Sequence, residues 1–109
     1  MSTVLHLING AETGKAARTG DVFNPATGAV QRQVAFASEA EVAAAVAAAK
    51  AALPGWRSLS LIKRADVFFR LRQILADRTG ELAAIVTDEH GKVLSDAAGE
   101  VSRGIENIE

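Results

Sequence analysis

Apolar residues form short or alternating runs in the first third of the chain and recur every three or four positions in the rest. The first run, Val4–Ile8, predicts a strand and is followed by Asn9-Gly10. Both residues of that dipeptide tolerate positive φ, which predicts a tight turn. Residues 11–20 are small and polar, and we expect them to form a loop.

A second hairpin is predicted farther along. Val22-Phe23 precedes the sequence Asn24-Pro25-Ala26-Thr27-Gly28, and residues 30–35 alternate partly between apolar and polar side chains. Asn opens a type I turn, Pro fixes φ at the next position and Gly closes it. The pattern therefore predicts that Val22-Phe23 pairs with Val30–Ala35.

From residue 38 onward the pattern is helical. Ser38 and Glu41 have the spacing of a capping box, in which each side chain bonds the backbone N–H of the other residue. Apolar residues at intervals of three and four then lie on one helix face. Pro54-Gly55 is expected to end this alanine-rich helix, whose small side chains would let a neighbouring element come close.

Three more helices are predicted after it. One begins near Ser58 or Ser60 and runs to about Arg78, and Thr79 can cap a short third helix. The last helix should begin near Leu94 or Ser95. Its apolar residues keep their period as far as Ile108, so we expect the helix to continue past Glu109.

These elements predict an α+β unit, with β-hairpins over residues 1–37 and about four α-helices over residues 38–109.

Composition and charge exclude several classes of function. The chain has 109 residues, 12 basic and 13 acidic, for a net charge of −1 without like-charge runs. Nucleic acid and anionic membranes therefore have no basic patch to bind. We expect no membrane span and no signal peptide, which favours the cytoplasm. The absence of Cys excludes thiolate chemistry within these residues.

The densest group of ionisable residues is Asp88-Glu89-His90-Gly91-Lys92. An acid–base pair of Glu89 and His90 would suit catalysis near neutral pH. Neighbouring helical residues, however, point about 100° apart. A helix end explains the order of these residues better. His90 suits the last turn of a helix, and Gly91 suits the left-handed position that follows it. Lys92 lies just beyond and would be near the free carbonyls of the helix end.

Other candidate sites are weaker. His6, on a strand, should face solvent, and His6 and His90 lack the spacing of a metal site. The pair Gly14-Lys15 lacks the Ser or Thr of a phosphate-binding loop, and no G-x-G-x-x-G turn occurs. Gly99 and Gly104 cost helix stability, so each should mark a closely packed neighbour. Arg103 is best explained as part of a solvated helix face. We therefore predict no catalytic, cofactor-binding or metal-binding residue.

The order of several short motifs adds a resemblance. The sequence Leu7–Gly10, then Asn24–Gly28, Trp56 and Glu89–Lys92, resembles the N-terminal region of the aldehyde dehydrogenase superfamily. The tail Asp96–Glu106 is most similar to the CoA-acylating methylmalonate-semialdehyde dehydrogenase branch. The resemblance covers the chain from about Leu7 onward.

The resemblance implies an NAD-dependent oxidoreductase several times longer than this chain. In such an enzyme a Cys thiolate attacks the aldehyde, hydride passes to NAD, and CoA takes the acyl group, giving propionyl-CoA from methylmalonate semialdehyde with loss of CO₂. It implies that these residues are the leading part of an NAD-binding-type domain, that the catalytic domain lies elsewhere, and that the whole enzyme is a homo-oligomer. The segment alone would then be inactive and bind neither NAD nor CoA.

The alternative is a standalone helical interaction or assembly module without catalysis. Under the dehydrogenase interpretation, the rest of the enzyme should cover apolar surface on the alanine-rich helix and the final helix. Isolated chains would then tend to self-associate.

Overall fold

The computed structural model of the chain describes residues 2–14 and 17–109. It contains five strands followed by four helices, which confirms the predicted α+β class with N-terminal hairpins. The strands are β1 (Thr3–Val4), β2 (His6–Ile8), β3 (Ala11–Thr13), β4 (Thr19–Phe23) and β5 (Val30–Ala35). The helices are α1 (Glu39–Ser58), α2 (Leu61–Asp77), α3 (Thr79–His90) and α4 (Leu94–Glu106).

The chain forms two compact units. The first holds residues 1–23 and 29–58, which include all five strands and α1, and the second holds residues 24–28 and 59–109. Contacts therefore group the alanine-rich helix with the strands. The sequence analysis divided the chain between residues 37 and 38, where the strands give way to helices. As a boundary between domains, this division stays a prediction.

In the first unit, β2 and β3 form an antiparallel hairpin around the turn that the sequence predicted. Asn9 and Gly10 both have positive φ, 53° and 77°. The prediction of a loop over residues 11–20 was wrong at both ends: β3 occupies its start and β4 begins at Thr19. A two-residue turn brings the chain straight back into pairing with β2, whatever the polarity of the returning residues. Residues 15 and 16 of the predicted loop lie outside the described residues.

The second sheet has the order β1-β5-β4. Strands β4 and β5 pair antiparallel, as predicted, with an irregularity between Val22 and Phe23. The short strand β1 adds to β5 in parallel, which the sequence pattern did not indicate. In this unit the one buried apolar residue among those described is Ala35.

Helix α1 begins with the predicted capping box. The backbone N–H of Glu41 donates to Ser38 Oγ (3.2 Å), and the backbone N–H of Ser38 donates to Glu41 Oε2 (2.7 Å). The prediction that Pro54-Gly55 ends the helix was wrong, because α1 runs on to Ser58. Strong helix formers precede Pro54, and Ser58 Oγ donates to the Gly55 carbonyl (2.8 Å) in the last turn. The helix propensity of these residues and this hydrogen bond together outweigh the backbone hydrogen bond that Pro54 cannot donate.

In the second unit, α2 starts after Ser60, whose hydroxyl accepts the backbone N–H of Lys63 (3.3 Å). The prediction that Thr79 caps α3 was wrong. Thr79 Oγ1 instead donates to carbonyls at the end of α2, those of Leu75 and Ala76 (both 3.0 Å). A hydroxyl can satisfy helix-end carbonyls as well as helix-start N–H groups, so the residue type did not decide which end it serves.

Helices α3 and α4 pack around two small residues. Ala83 is 1% exposed and Ala97 is fully buried. Small side chains at buried positions allow close approach of neighbouring helices, and α3 and α4 pack against each other. The last helix ends at Glu106 instead of continuing through Glu109, and Asn107 keeps right-handed helical dihedrals (φ −72°, ψ −13°).

Candidate functional site

The ionisable group at residues 88–92 lies at the corner between α3 and α4. His90 is the last residue of α3, and Gly91 follows in the left-handed conformation with φ 84°. The Gly91 N–H donates to the Thr87 carbonyl (2.8 Å). This geometry confirms the predicted helix end and its glycine cap.

The cap also contacts the Asn24–Gly28 turn. A Cβ added at Gly91 would lie 2.9 Å from Pro25 Cγ, so the proline ring occupies the space that any larger residue would need. The turn itself is held by Asn24, whose side-chain oxygen accepts the N–H of Ala26 (2.9 Å) and of Thr27 (3.3 Å). Two of the sequence motifs that carried the resemblance therefore pack against each other as structural parts.

Lys92 has a partner that the sequence did not predict. Its ammonium group makes an ion pair with the Glu100 carboxylate on α4. Its predicted position near the free carbonyls of α3 stays a prediction. The carboxylate is a charged acceptor, and Lys makes a stronger hydrogen bond with a charged acceptor than with a neutral carbonyl. The Lys92 hydrogen bond lowers the pKa of Glu100, and the charges of Arg103 and His90 add to the effect. An ionised, paired carboxylate is a weak base, so this pair joins the two helices and is unsuited to proton transfer.

His6 occupies a different environment from the one predicted. It is half-buried, and its ring Cδ2 lies 3.0 Å from the point where a Cβ on Gly14 would be. Its Nε2 is buried, as is the Oγ1 of Thr13, its register partner across the hairpin, and neither atom has a hydrogen-bond partner among the described residues. The Asn9-Gly10 turn fixes the register of this hairpin. The turn residues alone could therefore have predicted that His6 lies opposite Thr13.

The two helix glycines lack the neighbours that the sequence predicted. Within the described part of the chain, nothing lies within 4 Å of a Cβ built on Gly104, and only Arg103 Nη1, at 4.0 Å, approaches one built on Gly99. Arg103 is exposed, as predicted. Small residues at these positions are therefore not explained by packing within residues 2–14 and 17–109.

The described residues contain neither a metal-binding cluster nor a membrane-spanning helix. In that part of the chain no three His, Cys, Asp or Glu side chains come together in a way that could hold a metal ion. None of the helices that the structure describes is both long and apolar enough to span a membrane. The sequence prediction that no residue is catalytic or binds a cofactor stays a prediction.

Apolar surface is exposed on both helices that the sequence indicated and on α2 as well. Helix α1 is half exposed at Val42 and Val46, as expected. In the final helix Leu94 is 55% exposed, also as expected, although Ala97 is buried. Helix α2 exposes more, with Phe69 at 69% and both Leu61 and Ile62 at 76%. The sequence analysis did not predict an exposed surface on α2.

Comparison with known proteins gives a consistent result along the whole chain. The model of the aldehyde dehydrogenase family matches residues 12–109. The malonate-semialdehyde dehydrogenase of Pseudomonas aeruginosa is 44% identical over 109 residues, which is 100% of this chain and 22% of that protein. The chain thus spans about a fifth of the length of this curated relative.

Solved structures agree. The methylmalonate-semialdehyde dehydrogenase of Oceanimonas doudoroffii superposes with a TM-score of 0.97 at 44% identity, covering 99% of this chain and 22% of that one. A structure from Sinorhizobium meliloti, described as a methylmalonate-semialdehyde dehydrogenase complexed with NAD, gives a TM-score of 0.94 at 45% identity. It covers 97% of this chain and 22% of that one. The arrangement of hairpins and helices is therefore that of the corresponding part of these enzymes.

Proposed function

Because this chain belongs to the aldehyde dehydrogenase family, we propose that it is the N-terminal part of an NAD-dependent, CoA-acylating semialdehyde dehydrogenase. One observation carries the proposal. The similarity to malonate- and methylmalonate-semialdehyde dehydrogenases extends over 99–100% of this chain at 44% identity. Both relatives are named for three-carbon semialdehydes with a carboxylate, or their methyl derivatives, and we propose the same substrate class here.

The whole enzyme would oxidise the aldehyde carbon to the level of a thioester, with NAD as the electron acceptor. The acyl group would pass to the thiol of CoA, and the substrate carboxylate would leave as CO₂. Methylmalonate semialdehyde then gives propionyl-CoA, and malonate semialdehyde gives acetyl-CoA. Covalent catalysis of this kind needs a thiolate nucleophile.

These 109 residues do not supply that chemistry. The sequence has no Cys and no glycine-rich phosphate-binding turn. The paired Lys92 and Glu100 are joined to each other across the α3–α4 corner. We therefore assign no contact with NAD, CoA or substrate to this segment, and we propose that it is inactive alone.

The role left for the segment is structural. Its partner would be the rest of the dehydrogenase polypeptide, and the whole enzyme would be a cytoplasmic homo-oligomer. The close approach of the Pro25 ring to Gly91 supports a structural role for these two family motifs. A structural role also accounts for motif residues that carry no reactive group.

The test compares two proteins in one assay. The purified 109-residue chain should form no NADH from malonate or methylmalonate semialdehyde with NAD and CoA. The protein encoded by the full reading frame of its gene should form NADH, and mass spectrometry should identify acetyl-CoA or propionyl-CoA as the other product. Turnover by the short chain would overturn the assignment of the chemistry to other residues. A reading frame that stops after Glu109 would favour the interaction module.

A further inference from the structure

The β2–β3 hairpin turns one of its faces toward α1. Along β2, His6 and Ile8 are half-buried, whereas Leu7 between them is 75% exposed. Ile8 shares a depression with Ala45 and other alanines of α1. Residues two positions apart in a strand point to the same side. His6 therefore lies on the side of the hairpin that faces α1.

Gly14, which follows β3, leaves open space between His6 and Glu41. The point that a Cβ on Gly14 would occupy lies 3.0 Å from His6 Cδ2 and 3.6 Å from His6 Nε2. The same point lies 3.4 Å from Glu41 Oε1. Gly14 has φ 107°, a backbone conformation that residues with a Cβ rarely adopt. The imidazole and the carboxylate thus face each other across a position that holds no side chain.

The carboxylate of Glu41 divides its two oxygens between two sides. Ser38 donates from its backbone N–H and from its hydroxyl, and both hydrogen bonds end on Glu41 Oε2. Oε1 takes part in neither bond and is the oxygen near His6. The hydrogen bonds from Ser38 lower the pKa of Glu41 most, and the charge of His6 adds to the lowering. Glu41 is therefore ionised near neutral pH and can accept from His6 while it caps α1.

The Nε2 atom of His6 has an unfilled hydrogen-bonding capacity. Neither this atom nor Thr13 Oγ1, on the opposite strand, has a hydrogen-bond partner among the described residues, although both are buried. A neutral imidazole can accept a hydrogen bond at Nε2, whereas an imidazolium carries a proton on both ring nitrogens and needs an acceptor at each. Glu41 Oε1 supplies a charged acceptor on this side.

Few other charges face His6 from the neighbouring elements. The other charged residues of α1 are exposed and lie on its opposite side, because successive helix residues point about 100° apart. They are Glu39, Lys50 and Arg57. On the hairpin, Glu12 is paired with Leu7 and lies on the outer face. Lys15 is outside the described residues. Within the described parts of α1 and the hairpin, the charged group that faces His6 is that of Glu41.

We propose that His6 and Glu41 form a pH-dependent ion pair, in which protonated His6 donates from Nε2 to Glu41 Oε1 and holds the β2–β3 hairpin against the first turn of α1. Imidazole is the side chain that ordinarily changes charge near neutral pH. When His6 loses its proton as pH rises, the ion pair is lost, and apolar packing between the hairpin and α1 remains. The ion pair lies within the first unit and does not rest on the proposed function.

Hydrogen exchange followed by mass spectrometry tests this proposal in the protein encoded by the full reading frame. Exchange of the β2–β3 hairpin is measured at about pH 5.5 and about pH 7.5, on either side of the range in which imidazole ordinarily titrates. Each rate is divided by the exchange rate of an unstructured peptide at the same pH, which gives a protection factor. The β4–β5 hairpin of the same unit is the internal reference.

Three substitutions separate the groups involved. His6→Gln removes the group that titrates. Glu41→Gln removes the charge but keeps a side chain that can complete the capping box. Glu39→Gln removes a charge from the opposite side of α1 and is the matched control. Because Glu41 lies outside the hairpin, Glu41→Gln remains informative if His6→Gln perturbs the pairing of β2 with β3.

In the unsubstituted protein, the protection of the β2–β3 hairpin relative to the reference should be about threefold higher at the lower pH, as expected for a partly exposed ion pair. Glu39→Gln should keep this difference, and His6→Gln and Glu41→Gln should each abolish it. Equal protection at the two pH values in the unsubstituted protein would overturn the proposal. So would a difference that persists in either His6→Gln or Glu41→Gln, because another group would then be responsible for it.

Discussion

Helices α4 and α2 carry apolar residues at the same helical spacing and bury them to different extents. In α4, Ala97 is fully buried, as is Ala83 of the neighbouring α3 at 1% exposure, although Leu94 at the start of α4 is 55% exposed. In α2 no residue is buried, and Leu61, Ile62 and Phe69 are among the most exposed large apolar residues. Apolar periodicity thus identifies a face that avoids water, but the covering partner depends on what else the polypeptide contains.

The difference has a physical consequence for the segment by itself. Hydrophobic stabilisation follows the apolar area removed from water. The large apolar side chains of α2 remain exposed and therefore contribute little to it, while the buried positions hold only alanine. The contribution of α2 should therefore appear only when its exposed apolar residues are covered. Substitutions that compare the two helices test this directly.

The largest effect is expected from Ala97→Leu in α4. The Ala97 side chain is fully buried, so overpacking by the larger Leu should lower the free energy of unfolding by about 1–3 kcal/mol. The matched substitution Ala65→Leu, on the exposed face of α2, should change it by less than about 0.5 kcal/mol. Urea unfolding of the 109-residue chain followed by circular dichroism measures both. Equal losses in the two helices would contradict the contrast drawn here.

A smaller loss is expected from Gly91→Ala at the corner before α4. The left-handed backbone and the nearby Pro25 ring both oppose a Cβ, so we expect a loss of about 1–2 kcal/mol. Thermal unfolding provides the measurement. Pro25→Ala in the Gly91→Ala background should recover the part of the loss that comes from contact with the ring, and no recovery would argue against that contact.

A gain is expected from Gly104→Ala within α4. Its Cβ would meet open space among the described residues, so removing the glycine should stabilise the 109-residue chain by about 0.5–1 kcal/mol. The same substitution in the full-length protein asks whether another segment approaches this position. A gain in the short chain that turns into a loss in the long one would identify such a neighbour.

The smallest effect concerns α1, which also has no buried residue. The Ser38 backbone N–H, and then the Ser38 hydroxyl, lower the pKa of Glu41 from its ordinary 4.5. A lowered carboxyl pKa stabilises the folded chain above pH 4.5, and that stabilisation is lost as pH falls through the folded-state value. Glu41→Gln should remove this pH dependence, as seen in melting temperatures, while Glu39→Gln should leave it. A change of similar size in both variants would contradict the capping role.

Local signals predicted much of the fold. The Asn9-Gly10 turn, the Ser38 and Glu41 capping box and the Gly91 cap were predicted correctly, because each depends on interactions within about four residues. The hairpin of β4 and β5 followed from its turn residues for the same reason.

Features set by more distant contacts could not be predicted in this way. The parallel pairing of β1 with β5 joins residues about thirty positions apart, and no local pattern indicates it. Helix α1 passes through Pro54 because surrounding interactions outweigh one lost hydrogen bond. The ion pair of Lys92 with Glu100 spans a helix corner, so it emerged only from the fold.

The most direct test of the account is NADH formation from a three-carbon semialdehyde in the presence of NAD and CoA. The account predicts turnover, with release of acyl-CoA, by the protein encoded in the full reading frame and none by the 109-residue chain. Turnover by the short chain, or an intact full-length protein that forms no acyl-CoA from these semialdehydes, would contradict it.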